Sequence, residues 1–113
     1  MKSGCGGDCV NIEMTADGER VAAAMYKIFL TKRESGASLG TAKTTSYAEI
    51  QNELYRMSTD DVHSATQEVS RKFGCRISVT GKITISDDFV AYVQHSFKRG
   101  IADILSFLSP FIH

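Results

Sequence analysis

The feature of this sequence that most constrains its fold is a change of hydrophobic period at Gly74. Over residues 59–73 the core-type side chains recur three and four positions apart, which is the spacing of one face of an α-helix. That stripe is formed by Val62, Ala65, Thr66, Val69 and Phe73. Gly74 is a natural helix stop, because the residue after a helix often needs a positive φ.

Beyond this glycine the side chains alternate between two faces, which is the period of a β-strand. The predicted inward face consists of Cys75, Ile77 and Val79 on a first strand and Ile83 and Ile85 on a return strand. A tight turn is predicted at Gly81 and Lys82, with Lys82 at its tip. The stretch after the helix is therefore predicted to form a β-hairpin.

A second, shorter helix is predicted just before this unit. Ser46 and Glu49 have the spacing of a capping box, in which the serine accepts from a backbone N–H and the glutamate reaches back. Ser58 or Thr59 is expected to begin the helix that ends at Gly74. Residues 44–46 are expected to add a third short strand.

Longer helical patterns flank this central unit on both sides. The first begins with Asp17 as its expected N-cap and is apolar on much of its circumference, which is typical of a helix buried on more than one side. The last is predicted to run over about 87–109, where Gly100 indicates a kink, a break into two segments, or close approach of another helix. Residues 1–16 are expected to be a flexible arm, and residues 17–113 a single domain.

The composition fits one soluble domain rather than a membrane or disordered chain. The 113 residues are 42% hydrophobic, which is enough for one core, and no apolar run approaches the ~20 residues of a membrane span. The N-terminus lacks a secretory pattern, so a cytoplasmic protein without membrane contact is expected. The formal net charge is zero, but residues 69–86 contain four basic side chains and no acidic one, a local pattern compatible with phosphate contact.

Enzymatic activity is not expected from the motifs present. There is no glycine-rich phosphate loop after a strand, no His-x-x-x-His pair and no nucleophile elbow. The three histidines, His63, His95 and His113, are far apart in the chain. No catalytic residue and no cofactor are therefore predicted.

The order of these elements resembles the winged helix-turn-helix superfamily of DNA-binding proteins, over roughly residues 17–108. The resemblance implies an α+β fold in which residues 59–73 form the recognition helix in the major groove. It also implies that residues 80–82 form the tip of the wing. The implied DNA-contacting residues are His63, Ser64, Gln67, Ser70, Arg71 and Lys72 on the helix and Arg76 and Lys82 on the wing.

This resemblance implies a sequence-preferring protein that binds double-stranded DNA. Gln67 suits adenine and Arg71 suits guanine, whereas Lys72 and Lys82 suit phosphates. A small dimeric transcriptional repressor, or a plasmid or phage replication or segregation factor, is the preferred interpretation. An alternative is a winged-helix adaptor for protein–protein interaction, favoured by the zero net charge and by three acidic residues on the same helix, Asp60, Asp61 and Glu68.

A third alternative is a metal- or redox-sensing repressor that uses Cys5 and Cys9. Two thiolates four residues apart can share a soft metal such as zinc, and some metal-sensing winged-helix repressors carry a similar N-terminal pair. A reversible disulfide between the two is equally open. Two inert thiols are preferred, since no further cysteine lies in the first or second helix. No metal site is therefore predicted, and Cys5 and Cys9 stay weak candidates.

A homodimer is predicted from the apolar surface of the first and last helices. The predicted interface consists of Phe97, Gly100, Ile101, Ile104, Leu105 and Leu108. Exposed apolar patches of this size usually mark an interface, and two-fold symmetry would set two recognition helices about 34 Å apart. The alternative is a monomer whose last helix folds back over its own domain.

Overall fold

Six helices and three short strands make up the part of the chain that the computed structural model describes, residues 14–112, with side chains through Leu108. The helices are α1 (Ala16–Glu34), α2 (Leu39–Ala42), α3 (Tyr47–Glu53), α4 (Thr59–Phe73), α5 (Asp87–Ser96) and α6 (Ile101–Ile112). The strands are β1 (Thr44–Ser46), β2 (Arg76–Ile77) and β3 (Lys82–Thr84). The predicted α+β class is confirmed. None of the described helices has the length and apolar character needed to cross a membrane.

The strands form one antiparallel sheet in the order β1-β3-β2. Ile83 in the central strand pairs with Thr45 on one side and Ile77 on the other, and it is fully buried. The predicted strand at residues 44–46 is therefore confirmed as β1. Since neighbouring residues on a strand face opposite ways, one face of this sheet packs on the helices and the other carries polar side chains.

The hairpin turn lies earlier in the sequence than the predicted turn at Gly81 and Lys82. Ser78 N donates to Lys82 O at 2.8 Å and Gly81 N donates to Ser78 O at 3.0 Å, so the turn runs over residues 78–81. Gly81 closes it with a φ of 84°, a left-handed conformation that suits glycine. The prediction that Lys82 lies at the tip is wrong, because Lys82 already belongs to β3. Val79, predicted to face inward, is fully exposed in the turn.

Helix α1 is the centre of the fold. Among the described residues, α1 contacts each of the other five helices. It packs most extensively against α4 and α6. Ala22, Ala23 and Ala24 are all 1% exposed or less, and such small side chains allow neighbouring helices to approach closely. The prediction that this helix is buried on more than one side is confirmed.

The N-cap of helix α1 is Thr15 rather than the predicted Asp17. The Thr15 side chain accepts from Gly18 N at 3.0 Å. It is itself held by Glu68 of α4, to which Thr15 donates from its backbone N at 3.0 Å and from its Oγ1 at 2.6 Å. Met14 packs against the core. Residues 14–16 therefore contact the rest of the fold, and residues 1–13, which make up most of the predicted flexible arm, lie outside the described part.

The Glu68–Thr15 contact is expected to contribute stability that depends on pH. Hydrogen bonds from Thr15 lower the pKa of Glu68, so the contribution is present above the unfolded value of about 4.3 and is lost as pH falls through the folded value. We expect Glu68→Gln to lower the free energy of unfolding by about 1–2 kcal/mol at neutral pH. Urea unfolding should show that the difference from wild type narrows below about pH 4. Glu34→Gln on exposed Glu34 is the control, and a difference independent of pH would contradict the assignment.

The C-terminal region forms two helices rather than one continuous helix over 87–109. Helix α5 ends at Ser96, and Gly100 has a φ of 66° before α6 begins. Of the three readings of Gly100, the break is therefore correct. A Cβ added there would lie 3.6 Å from Leu30, an ordinary contact, so close approach of another helix is not what requires glycine.

This break folds α6 back against α1 within the same chain. Ile104 and Leu108 are 0% and 1% exposed, and Phe97 is 9% exposed, so these three residues are covered by the chain itself. The expectation that they form surplus exposed apolar surface, on which their predicted place in a dimer interface depends, is corrected for that reason. Of the remaining residues of that predicted interface, Ile101 and Gly100 are half-buried, and Leu105 is 45% exposed.

Candidate nucleic-acid interface

The candidate interface is the outer face of α4 together with the hairpin. Helix α4 starts at Ser58, whose side chain accepts from Asp61 N at 3.1 Å, and ends at Gly74 with a φ of 70°. The predicted core stripe is buried, and the opposite face therefore points to solvent. The exposed side chains of this face include His63, Ser64, Gln67, Arg71 and Lys72.

Ser70 does not belong to that exposed face. It is only 7% exposed. The last turn of α4 lies against the segment that leads into β2, where Cys75 N donates to Ser70 O at 3.1 Å. The prediction that Ser70 shares the exposed, DNA-facing side of α4 is therefore corrected. The Ser70 hydroxyl is buried and has no hydrogen-bond partner among the described residues. An open groove of about 290 Å³ lies next to this residue. Gln67, Ser70, Arg71, Cys75 and Ile77 line this groove.

Tyr47 connects the start of α4 to the hairpin. Its ring stacks on His63, with ring centroids 4.0 Å apart and an interplanar angle of 19°. A Cβ added at Gly81 would lie 3.5 Å from the Tyr47 ring, so the turn passes close by. Sequence reasoning assigned Tyr47 only to the apolar side of α3. No local pattern signals this contact, because the partners lie on three different elements.

Arg76 and Lys82 lie on the outer face of the sheet. Arg76 pairs with Thr84 and Lys82 pairs with Ser46 across the strands. Both basic residues are exposed, whereas Ile83 between these rows is buried. We call Arg76 and Lys82, together with Arg71 and Lys72 in the last turn of α4, the basic surface. Arg71 lines the same groove as Ile77, the neighbour of Arg76.

Charge along α4 is strongly polarised. Asp60 and Asp61 lie exposed in its first turn, and Arg71 and Lys72 lie in its last turn. Each pair complements the helix dipole at its own end. Lys72 Nζ is 3.8 Å from Glu68, a long contact that leaves the ammonium free to reach another anion. An anionic partner is therefore favoured at the C-terminal half of α4 and at the hairpin.

Cys75 has the character of a packed side chain rather than a reactive one. It is half-buried, and burial raises the pKa of its thiol, which disfavours the thiolate. Its Sγ lies 3.9 Å from Ser86 Oγ. Within residues 14–112, no group of three histidine, cysteine or acidic side chains has a metal-binding arrangement. The weak metal candidates Cys5 and Cys9 lie outside the described residues.

Comparison with known proteins identifies no relative. No protein-family model, no curated protein and no solved structure matches this chain. The arrangement of helices and strands is compatible with a winged helix, and the function has to be inferred from the exposed side chains and their charge.

Proposed function

We propose that this protein binds double-stranded DNA with sequence preference, through a winged helix-turn-helix. The observation that carries the proposal is the exposed face of α4, where Gln67 lies one helical turn before Arg71 and Lys72 of the basic surface. Residues 69–86 bring no acidic side chain to this region. A small dimeric repressor, or a plasmid or phage replication or segregation factor, is the kind of protein that such a surface serves.

Direct base reading is assigned to Gln67 and Arg71. Residues four apart on a helix are surface neighbours, about 5–6 Å between their Cβ atoms, so both side chains can reach adjacent bases from one groove. Glutamine pairs with two atoms of adenine and arginine with two atoms of guanine. His63 is held by its stack on Tyr47, which suits a fixed contact at the start of the helix.

Replacing Gln67 or Arg71 by alanine is expected to relax specificity rather than abolish binding. Each bidentate contact contributes about 1–3 kcal/mol of discrimination between bases. Affinity for the preferred site should therefore fall by roughly 5- to 150-fold, with a smaller change on unrelated DNA. The measurement is selection of the preferred site from random DNA, followed by titration of variant sites.

The neighbouring buried serine provides the control for this test. Ser70→Ala removes a hydroxyl that is nine-tenths buried and should leave both affinity and base preference unchanged. If Ser70→Ala alters base preference as much as Gln67→Ala does, the assignment of base reading to the exposed face is wrong. The whole proposal fails if the purified protein binds no DNA at low salt.

A protein-interaction adaptor is the second candidate, and two observations favour it. Val79 at the tip of the turn is fully exposed and Ile77 is 37% exposed, and the first turn of α4 presents Asp60 and Asp61 to solvent. Affinity capture with and without nuclease separates the two functions, because a partner retained after nuclease treatment is bound by protein contacts.

The homodimer stays a prediction. With Ile104 and Leu108 inside the chain's own core, the apolar surface that suggested a dimer is largely covered. Weak charge on each protomer still favours two copies on one DNA site, about 34 Å apart. Sedimentation equilibrium tests this directly: a mass near 12.4 kDa indicates a monomer, and about twice that indicates a dimer.

A further inference from the structure

A cavity of about 180 Å³ lies between α1, α5 and α6, away from the residues of the candidate interface. Its wall consists of Glu19, Ala22, Tyr92, Ser96, Phe97 and Phe107. This volume suits the head group of a small organic molecule rather than a single water. The break at Gly100 creates the cavity, since it returns Phe107 of α6 to the side of Phe97.

Three of the six described lining residues are aromatic. Phe97 and Phe107 have ring centroids 5.6 Å apart and an interplanar angle of 69°, so they form a corner. Tyr92 contributes a third ring and is supported from behind by Phe73, with centroids 4.7 Å apart. The faces of aromatic rings carry negative electrostatic potential, which attracts a cation placed against them.

The charged side chain at the cavity is negative, like the faces of the aromatic rings. Among the six described lining residues, Glu19 is the one that is charged, and it is exposed at the rim. Burial raises the pKa of the Tyr92 phenol, a hydrogen bond with Ser96 partly offsets this, and the Glu19 carboxylate adds a smaller increase. Two arginines close to lining residues in the sequence bind acidic side chains: Arg20 pairs with Asp17 at 2.7 Å and Arg99 pairs with Asp103 at 2.7 Å.

We propose that this cavity, which we call the aromatic cavity, binds a small organic cation of the alkylammonium class. The cationic head would lie against Tyr92, Phe97 and Phe107, with the Glu19 carboxylate at the entrance. Three rings and one carboxylate disfavour an anion. They also favour a cation over a neutral molecule of equal shape, since cation–π attraction is strongest where water is excluded. The proposal does not depend on DNA binding.

The test is a titration of the full chain without DNA, in which binding is monitored through the NMR signals of the aromatic rings. The probes are choline and its neutral isostere, in which carbon replaces the ammonium nitrogen. We expect choline to shift the signals of Tyr92, Phe97 and Phe107 and to bind at least about fivefold more tightly than the isostere. Equal binding of the two probes, or no binding of choline at tens of millimolar, overturns the proposal.

Two variants test the assigned residues. Glu19→Gln should weaken choline binding about threefold or more at low salt and leave binding of the isostere unchanged, whereas the matched Glu34→Gln at the other end of α1 should change neither. Phe107→Leu keeps an apolar wall but removes a ring, so it should reduce the preference for choline over the isostere. If Phe107→Leu fails to fold, Glu19→Gln decides alone, because Glu19 is exposed.

A third probe distinguishes the source of the cation. A peptide that contains trimethyllysine presents the same head group as choline on a protein chain. Choline binding at least as tightly as the peptide supports a free small molecule as ligand. Binding of the peptide more than about tenfold tighter would assign the cavity to a modified protein side chain and overturn the proposal for a small molecule.

Discussion

Replacing Ile104 by alanine is expected to lower the free energy of unfolding by about 3 kcal/mol and the Tm by roughly 10–15 °C. The side chain is 0% exposed and lies where α6 packs on α1. Truncation removes buried methyl groups and leaves a cavity that the surrounding helices fill only in part. Thermal and urea unfolding followed by circular dichroism measure the effect.

Leu105 is the matched control because it is adjacent on the same helix and faces the other way. It is 45% exposed, so Leu105→Ala should cost less than about 1 kcal/mol. The opposite ranking, with Leu105→Ala more damaging than Ile104→Ala, would contradict the orientation of α6.

The same pair of variants shows whether Ile104 lies in the core of its own chain or in an interface between two copies. If Ile104 lies in the core of its own chain, the loss of stability is independent of protein concentration. If it lies in an interface between two copies, the Tm of the wild-type protein rises with protein concentration and the variant loses that dependence. We expect no such dependence for the Ile104 effect, measured over a hundredfold range of protein concentration.

The elements that sequence reasoning predicted correctly are those specified by neighbouring residues. Ser58 caps α4, Gly74 ends it in a left-handed conformation, and the stripe between them is buried. The capping serine of α3 is likewise found, with Glu49 N donating to Ser46 Oγ at 3.2 Å. Each of these signals acts within about one helical turn, so the sequence contains the whole interaction.

The errors arise where a distant residue decides the outcome. Asp17 has the local features of an N-cap, but Thr15 takes that place because Glu68, on another helix, holds it. Ser70 lies at the edge of the core stripe in helical projection. Whether such a position is buried depends on the direction in which the chain runs from the end of α4 into β2. The stripe of α5 also continues through Gly100 into α6, so periodicity alone does not reveal the break.

Replacing Lys72 and Lys82 together by alanine is expected to reduce DNA affinity on every sequence by a similar factor. Two lost phosphate contacts make the slope of log affinity against log salt concentration shallower by about 1.8 and lower affinity at 0.1 M salt by roughly 50-fold. Base preference should be retained, since Gln67 and Arg71 remain. Fluorescence anisotropy over about 0.05–0.2 M salt, with one preferred and one unrelated duplex, gives both quantities.

The matched control removes the same charge from outside α4 and the hairpin. Arg33 and Lys98 are exposed, one in the last turn of α1 and the other between α5 and α6, so Arg33→Ala with Lys98→Ala changes the net charge equally. If binding depends on overall charge alone, the two double variants lose affinity equally and their salt slopes change together. We expect only Lys72→Ala with Lys82→Ala to change the slope, because counterion release depends on cations that contact phosphates. Equal losses would contradict the assignment of phosphate contact to the basic surface.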